Sequence, residues 1–166
     1  MNIFLPYEDN LVESVKALDD LRLNKQILEV YQLLTNAINE YYGIEIKGYK
    51  NHPLYVFYKE NRSFLCYYGI RCCFEYEYRF DKEHRLKNKF RTKQIIYDFK
   101  YNPPYTPYYM EGSKGQPNYI RTTENVSELF QQKLIKKWEN DKAKGRPPKW
   151  TNRDVPQFYQ DFMKGE

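Results

Sequence analysis

Asp19-Asp20-Leu21-Arg22-Leu23-Asn24-Lys25-Gln26-Ile27-Leu28-Glu29-Val30-Tyr31, running on through Leu34 and Ile38 to Tyr42-Gly43, is the stretch on which the fold turns. Leu23, Ile27, Val30, Tyr31, Leu34 and Ile38 recur at steps of three and four, which predicts one long amphipathic helix with a single apolar stripe. Asp19 and Asp20 supply caps at its start, and Gly43 stops it. Arg22, Lys25, Gln26 and Glu29 lie at i, i+3, i+4 and i+7, so they form a second stripe, polar and continuous, on the same helix.

Upstream, Met1 to Tyr7 reads as a short irregular segment. Asp9 or Asn10 then caps a short helix through Leu18, with Leu11, Val12, Val15 and Leu18 at helical spacing. Downstream, a turn at Gly48 leads to Asn51-His52-Pro53, where Asn51 or His52 is the cap and proline the first helical residue. Leu54, Tyr58, Leu65, Tyr68, Cys72 and Tyr76 predict one long helix from there to Phe80, with Arg71, Glu75 and Arg79 stepping by four as an ion-pair ladder. A third helix carries Leu86, Phe90, Ile95 and Ile96. The proline- and tyrosine-rich run from Tyr101 to Tyr109 forbids helix and reads as extended loop. Gly112-Ser113-Lys114-Gly115 is a weak match to a phosphate loop. Thr123 caps a fourth helix bearing Val126, Leu129, Phe130, Leu134 and Trp138. A tail with Trp150, Pro156, Phe158 and Phe162 packs back onto the bundle. The expected fold is all-α: one domain over residues 1–166, a compact helical bundle with an irregular start and a long Pro/Tyr loop.

At 166 residues the chain has room for one ordinary domain. Mean hydropathy is −0.91, and no uncharged apolar run reaches the roughly 18 residues that a membrane span needs, so no membrane association is expected. Cys66, Cys72 and Cys73 are an odd number on an apolar helix side, which suits buried thiols in a reduced, cytoplasmic setting. Two histidines and no Cys-x-x-Cys leave no metal-ligand cluster, and no cofactor is expected.

The net charge of +5 hides two basic zones. Residues 82–100 hold seven cations against Glu83 and Asp98. Residues 133–153 hold eight against Glu139 and Asp141, and the rest of the chain is net acidic. Two readings stand: solvated helix faces, or a surface that tracks phosphates with nearby tyrosines free to stack on bases.

Neither a nucleophile elbow nor a Ser, His, Asp set is present. Glu29 is the carboxylate that invites chemistry. Flanked by Arg22, Lys25 and Gln26, it is either a low-pKa stabiliser of positive charge growing on a sugar or half of a surface pair with Lys25. His52 is a cap or a catalyst, and His84 carries little signal.

The run Asp20 to Glu29, opened by Met1-Asn2-Ile3-Phe4-Leu5-Pro6-Tyr7 and followed by Gly48-Tyr49-Lys50-Asn51-His52-Pro53, resembles the pyrimidine dimer DNA glycosylase (endonuclease V-type) family of phages and bacteria. The similarity covers about the first 80 residues, a family-like helical core. Residues 81–166 match little. The resemblance implies a helical fold with the N-terminal segment threaded between helices, and an N-glycosylase of DNA repair with abasic-site lyase activity. In such enzymes an α-amino group attacks the sugar C1′, the base leaves, and the imine permits strand cleavage. Glu29 matches the family's catalytic glutamate, and the nucleophile would be the amine of Met1, although the family uses a small residue exposed by removal of the initiator Met and here Asn2 follows. Arg22 matches a basic position near the lesion, Lys25 neighbours a phosphate, and Gln26, Asn51, His52 and Arg79 complete the expected substrate- or phosphate-binding set. The expected partner is double-stranded DNA. The alternative is a non-catalytic, phage-type binder that sequesters a small nucleotide or phosphorylated signal in a pocket built from Arg22, Lys25, Asn51, His52 and Arg79.

Overall fold

A computed structural model describes residues 2–7, 10–46, 48, 50–100, 107–111 and 120–165. The helix predicted from the central stretch is α2, Asp20–Tyr41, ended by Gly43 at φ 69°. Leu23, Ile27, Val30, Leu34 and Ile38 are buried along it. Before it stands α1, Leu11–Lys16, capped by Asn10, whose Oδ1 accepts the Glu13 N–H at 3.0 Å.

The helix expected over 54–80 is two helices. α3 spans Pro53–Tyr58 and α4 spans Arg62–Phe80. His52 caps α3 as predicted, its Nδ1 accepting the Leu54 N–H at 3.2 Å. Between them the polar Lys59-Glu60-Asn61 turns the chain, with Asn61 at the N-cap position of α4. Asparagine favours caps over helix interiors. Tyr58 and Leu65 are seven apart, the spacing of one continuous helix, so the apolar period runs through the break without marking it. α2 and α4 make the most extensive packing in the molecule, and Cys66, Cys72 and Cys73 are free thiols buried on α4. Burial pushes the Cys66 and Cys73 thiols up to about 12, so they act as small hydrophobes.

α5, Lys87–Ile96, lies across α4. Phe90 sits so close over Gly69 that a Cβ there would fall 2.3 Å from the ring. Ile95 and Ile96, expected to be part of that helix's apolar side, are 78% and 66% exposed. Part of the loop expected over 101–109 departs from the reading. Tyr109–Glu111 is strand β1, paired antiparallel with β2, Ile120–Thr122, in the register Met110 to Arg121. The Gly112 to Gly115 match lies outside the described residues.

α6, Val126–Ala143, begins after Asn125, which has φ 49° and no side-chain cap bond, so Thr123 is not its cap. Val126, Phe130, Leu134 and Trp138 are buried along it. The tail forms α7, Gln157–Lys164. Trp138 meets Trp150 at 4.9 Å, Tyr159 at 4.9 Å and Phe158 at 5.6 Å, so the tail packs back onto the bundle as expected, and it does so at α6. The whole is mainly α-helical, and no described helix is long and apolar enough to cross a membrane.

Candidate active site

The N-terminal segment runs through the interior. Ile3, Phe4 and Leu5 are buried, and peptide groups of Asn2, Phe4 and Pro6 find partners on helices. Tyr68 Oη of α4 donates to the Phe4 carbonyl at 3.0 Å, and Gln131 Nε2 of α6 donates to the Pro6 carbonyl at 2.8 Å. The Asn2 side chain pairs with Met110 of β1 in both directions, at 2.8 and 3.0 Å. A buried backbone without a ladder partner needs such bonds, because each unpaired group would cost about 1–3 kcal/mol.

Gln26 joins this segment to the polar stripe of α2. It is 1% exposed. Its Oε1 accepts from the Phe4 N–H at 3.1 Å and from Tyr68 Oη at 2.9 Å. Its Nε2 donates to the Asn2 carbonyl at 2.8 Å and to Glu29 Oε2 at 3.2 Å. One amide therefore holds the start of the chain and the candidate carboxylate against each other.

A cleft of about 220 Å³ opens here, lined by Asn2, Phe4, Arg22, Lys25, Gln26, Glu29, Lys133 and Lys137. Glu29 is half-buried, and burial raises its carboxyl above the ordinary value despite the opposing pull of Lys25, Lys137 and the Gln26 hydrogen bond. The expected low-pKa carboxylate is thus corrected: loss of water outweighs the surrounding cations. Its oxygen is held by Gln26 rather than by a contact pair with Lys25, which is exposed.

Arg22 enters the cleft already paired. Nη1 reaches Asp19 at 3.1 Å and Nη2 reaches Asp141 of α6. Asp19 is 1% exposed and also accepts the Trp138 indole N–H at 2.8 Å. It stands at the N-cap position of α2 without capping it, and burial lifts its carboxyl above the usual range. Asp20 binds Arg79 and Thr151 instead of capping.

Lys133 Nζ donates to the Met110 carbonyl at 2.7 Å and reaches Glu111 at 3.2 Å. Lys137 is half-buried, and burial followed by the charges of Arg22, Lys133 and Lys25 lowers its ammonium below the ordinary value, with Glu29 opposing. These two lysines, with Asn2 and Phe4, are the cleft residues that sequence reasoning did not single out. A signal existed: Lys133 and Lys137 are four apart on α6, flanking Leu134 and Trp138 of its buried stripe.

The remaining expected site residues lie elsewhere. Arg79 is a fully buried hub of α4, donating to Glu75 at 2.8 Å, to the Leu18 and Lys16 carbonyls at 2.7 and 2.8 Å, and to Asp20 at 3.0 Å. Such an arginine has no fork left for a phosphate. Glu75 also takes a bidentate pair from Arg153, at 2.8 and 2.9 Å. The Glu75 to Arg79 rung of the predicted ladder is therefore present, extended by Arg153 of the tail. His52 caps α3, burial holds its imidazole below the ordinary value, and neither it nor Asn51 is among the described residues that line the cleft. Of the five residues of the alternative anion pocket, Arg22 and Lys25 line the cleft, and Arg79 is committed to the interior. Met1 lies outside the described residues.

The two basic zones part company. From 133–153, Lys133 and Lys137 face the cleft while Arg153 is structural. From 82–100, Lys93 lies over the Tyr31 ring at 5.5 Å and Phe90 meets that ring at 5.2 Å. Tyr31 is two residues past Glu29, roughly 200° around α2, so α5 docks on the flank of α2 away from the cleft.

No curated protein and no solved structure matches the chain. A family model described as pyrimidine dimer DNA glycosylase matches residues 1–88, which contain α1 to α4, the threaded N-terminal segment and the Arg22 to Glu29 stripe. The chain therefore belongs to the pyrimidine dimer DNA glycosylase family.

Proposed function

We propose that the protein is a DNA-repair N-glycosylase that acts on damaged or modified pyrimidines in duplex DNA and cleaves the abasic site it creates. The observation that carries this reading is the Gln26 amide, which bonds the Asn2 carbonyl and the Glu29 carboxylate together. The nucleophile of this reading is the Met1 amine, one peptide bond before Asn2 in the sequence. An unperturbed α-amino group titrates at about 7.7–8.0 and offers a neutral, nucleophilic fraction at neutral pH. Attack at C1′ expels the base as positive charge grows on the sugar, and the Glu29 carboxylate stabilises that charge. Burial raises its affinity for protons above that of a free glutamate, which makes it the better proton acceptor of the two. Lys25, exposed at the cleft, supplies positive charge toward the phosphates.

UV-irradiated duplex DNA is the direct test. The protein releases pyrimidine bases and nicks the irradiated duplex, and leaves the unirradiated duplex intact. An irradiated duplex that is bound but neither loses bases nor breaks would overturn the reading in favour of a binder.

A further inference from the structure

The cleft holds four cations, and they are not equivalent. Arg22 is tied to two aspartates, and Lys133 to Glu111 and a backbone carbonyl. Among the described residues Lys25 and Lys137 make no contact ion pair. Lys25 is exposed, whereas Lys137 is half-buried on α6 in the wall that completes the cleft around Glu29. A half-buried primary amine with no anchoring partner, next to a carboxylate, is an arrangement for amine chemistry rather than for scaffold.

We propose that Lys137 Nζ is a second imine-forming amine of the cleft, one that takes the ring-opened aldehyde of an abasic site. The inference rests on the glycosylase reading for its substrate. Neutral Nζ adds to the aldehyde C1′, and a proton passes from nitrogen to the former carbonyl oxygen, giving a carbinolamine. Protonated Glu29 gives its proton to that hydroxyl, water leaves, and the C1′=Nζ iminium forms. The Glu29 carboxylate then removes a proton from C2′. The resulting enamine pair expels the 3′-phosphate with the C3′–O electrons and leaves a conjugated iminium. Water adds at C1′ and returns the unsaturated aldehyde and the free lysine. The lowered basicity of Lys137 and the raised basicity of Glu29 both suit this exchange.

The test uses borohydride trapping on duplex DNA with a preformed abasic site, followed by peptide mapping, for wild type and for Lys137→Arg. Arginine keeps the positive charge but stays protonated, so it cannot form the imine. The expected result is an adduct on the peptide that contains Lys137, lost in Lys137→Arg while duplex affinity is retained. An adduct confined to the amino terminus and undiminished in Lys137→Arg, or no adduct at all, overturns the inference. Base release from irradiated duplex, measured alongside, reports separately: if release persists when no Lys137 adduct is found, the glycosylase reading stands and only the second amine falls.

Discussion

Two cations three residues apart on α2 have opposite jobs. Arg22 neutralises Asp19, a carboxylate buried beside Trp138, so Arg22→Met strands a buried charge and is expected to lower stability by about 3–5 kcal/mol in denaturant unfolding. Lys25 is exposed and unpaired, and Lys25→Ala is expected to change stability by under about 0.5 kcal/mol while reducing the salt slope of duplex binding by about 1. Glu29 adds a pH signature. Its folded-state affinity for protons is raised by burial, so it favours the fold at low pH and that contribution is lost as pH rises through the folded value. Glu29→Gln is therefore expected to be more stable than wild type at pH 7, with the difference vanishing in acid below the range of a free carboxyl. Equal stabilities at pH 7 would show that the carboxylate is not desolvated. The stripe from Arg22 to Glu29 was legible in the sequence because helical spacing alone puts those residues on one side. Whether Arg79 faces a ligand or the interior was not, because its acceptors come from Leu18, Lys16 and Asp20, about 60 residues away.

Helix packing decides how α5 is held. Gly69 leaves the space that the Phe90 ring fills, with only 2.3 Å to an added Cβ. Gly69→Ala gains roughly 1 kcal/mol of helix propensity. It also forces a shift of a fully buried ring, at about 1–3 kcal/mol or more. The expected net outcome is a lower melting temperature with cleft chemistry unaltered, since α5 docks on the other flank of α2. The apolar periods of α2, α4 and α6 were readable because each has a long buried stripe. The break at Lys59 to Asn61 kept phase with its neighbours, and the β1–β2 pair is three residues a side, too short to impose a period of two on the sequence.

At the scale of the whole molecule, the half of the chain beyond the family match completes the site. α6 brings Lys133 and Lys137 to the stripe of α2, and the tail holds α6 in place: Trp150 and Tyr159 pack on Trp138, and Trp150 Nε1 donates to the Ala17 carbonyl at 3.0 Å. Trp150→Ala is expected to cost about 3 kcal/mol, the low end for such truncations because the ring is only partly buried, and to weaken lesion cleavage along with stability. A variant destabilised by that amount yet fully active at low temperature would separate the tail from the cleft. The central claim is that the cleft is a glycosylase site with Glu29 as its carboxylate. Single-turnover cleavage of a duplex carrying one defined pyrimidine dimer, by wild type and Glu29→Gln, tests it most directly. The prediction is a fall of about 10²- to 10⁴-fold with duplex affinity retained; cleavage by Glu29→Gln at the wild-type rate would contradict it.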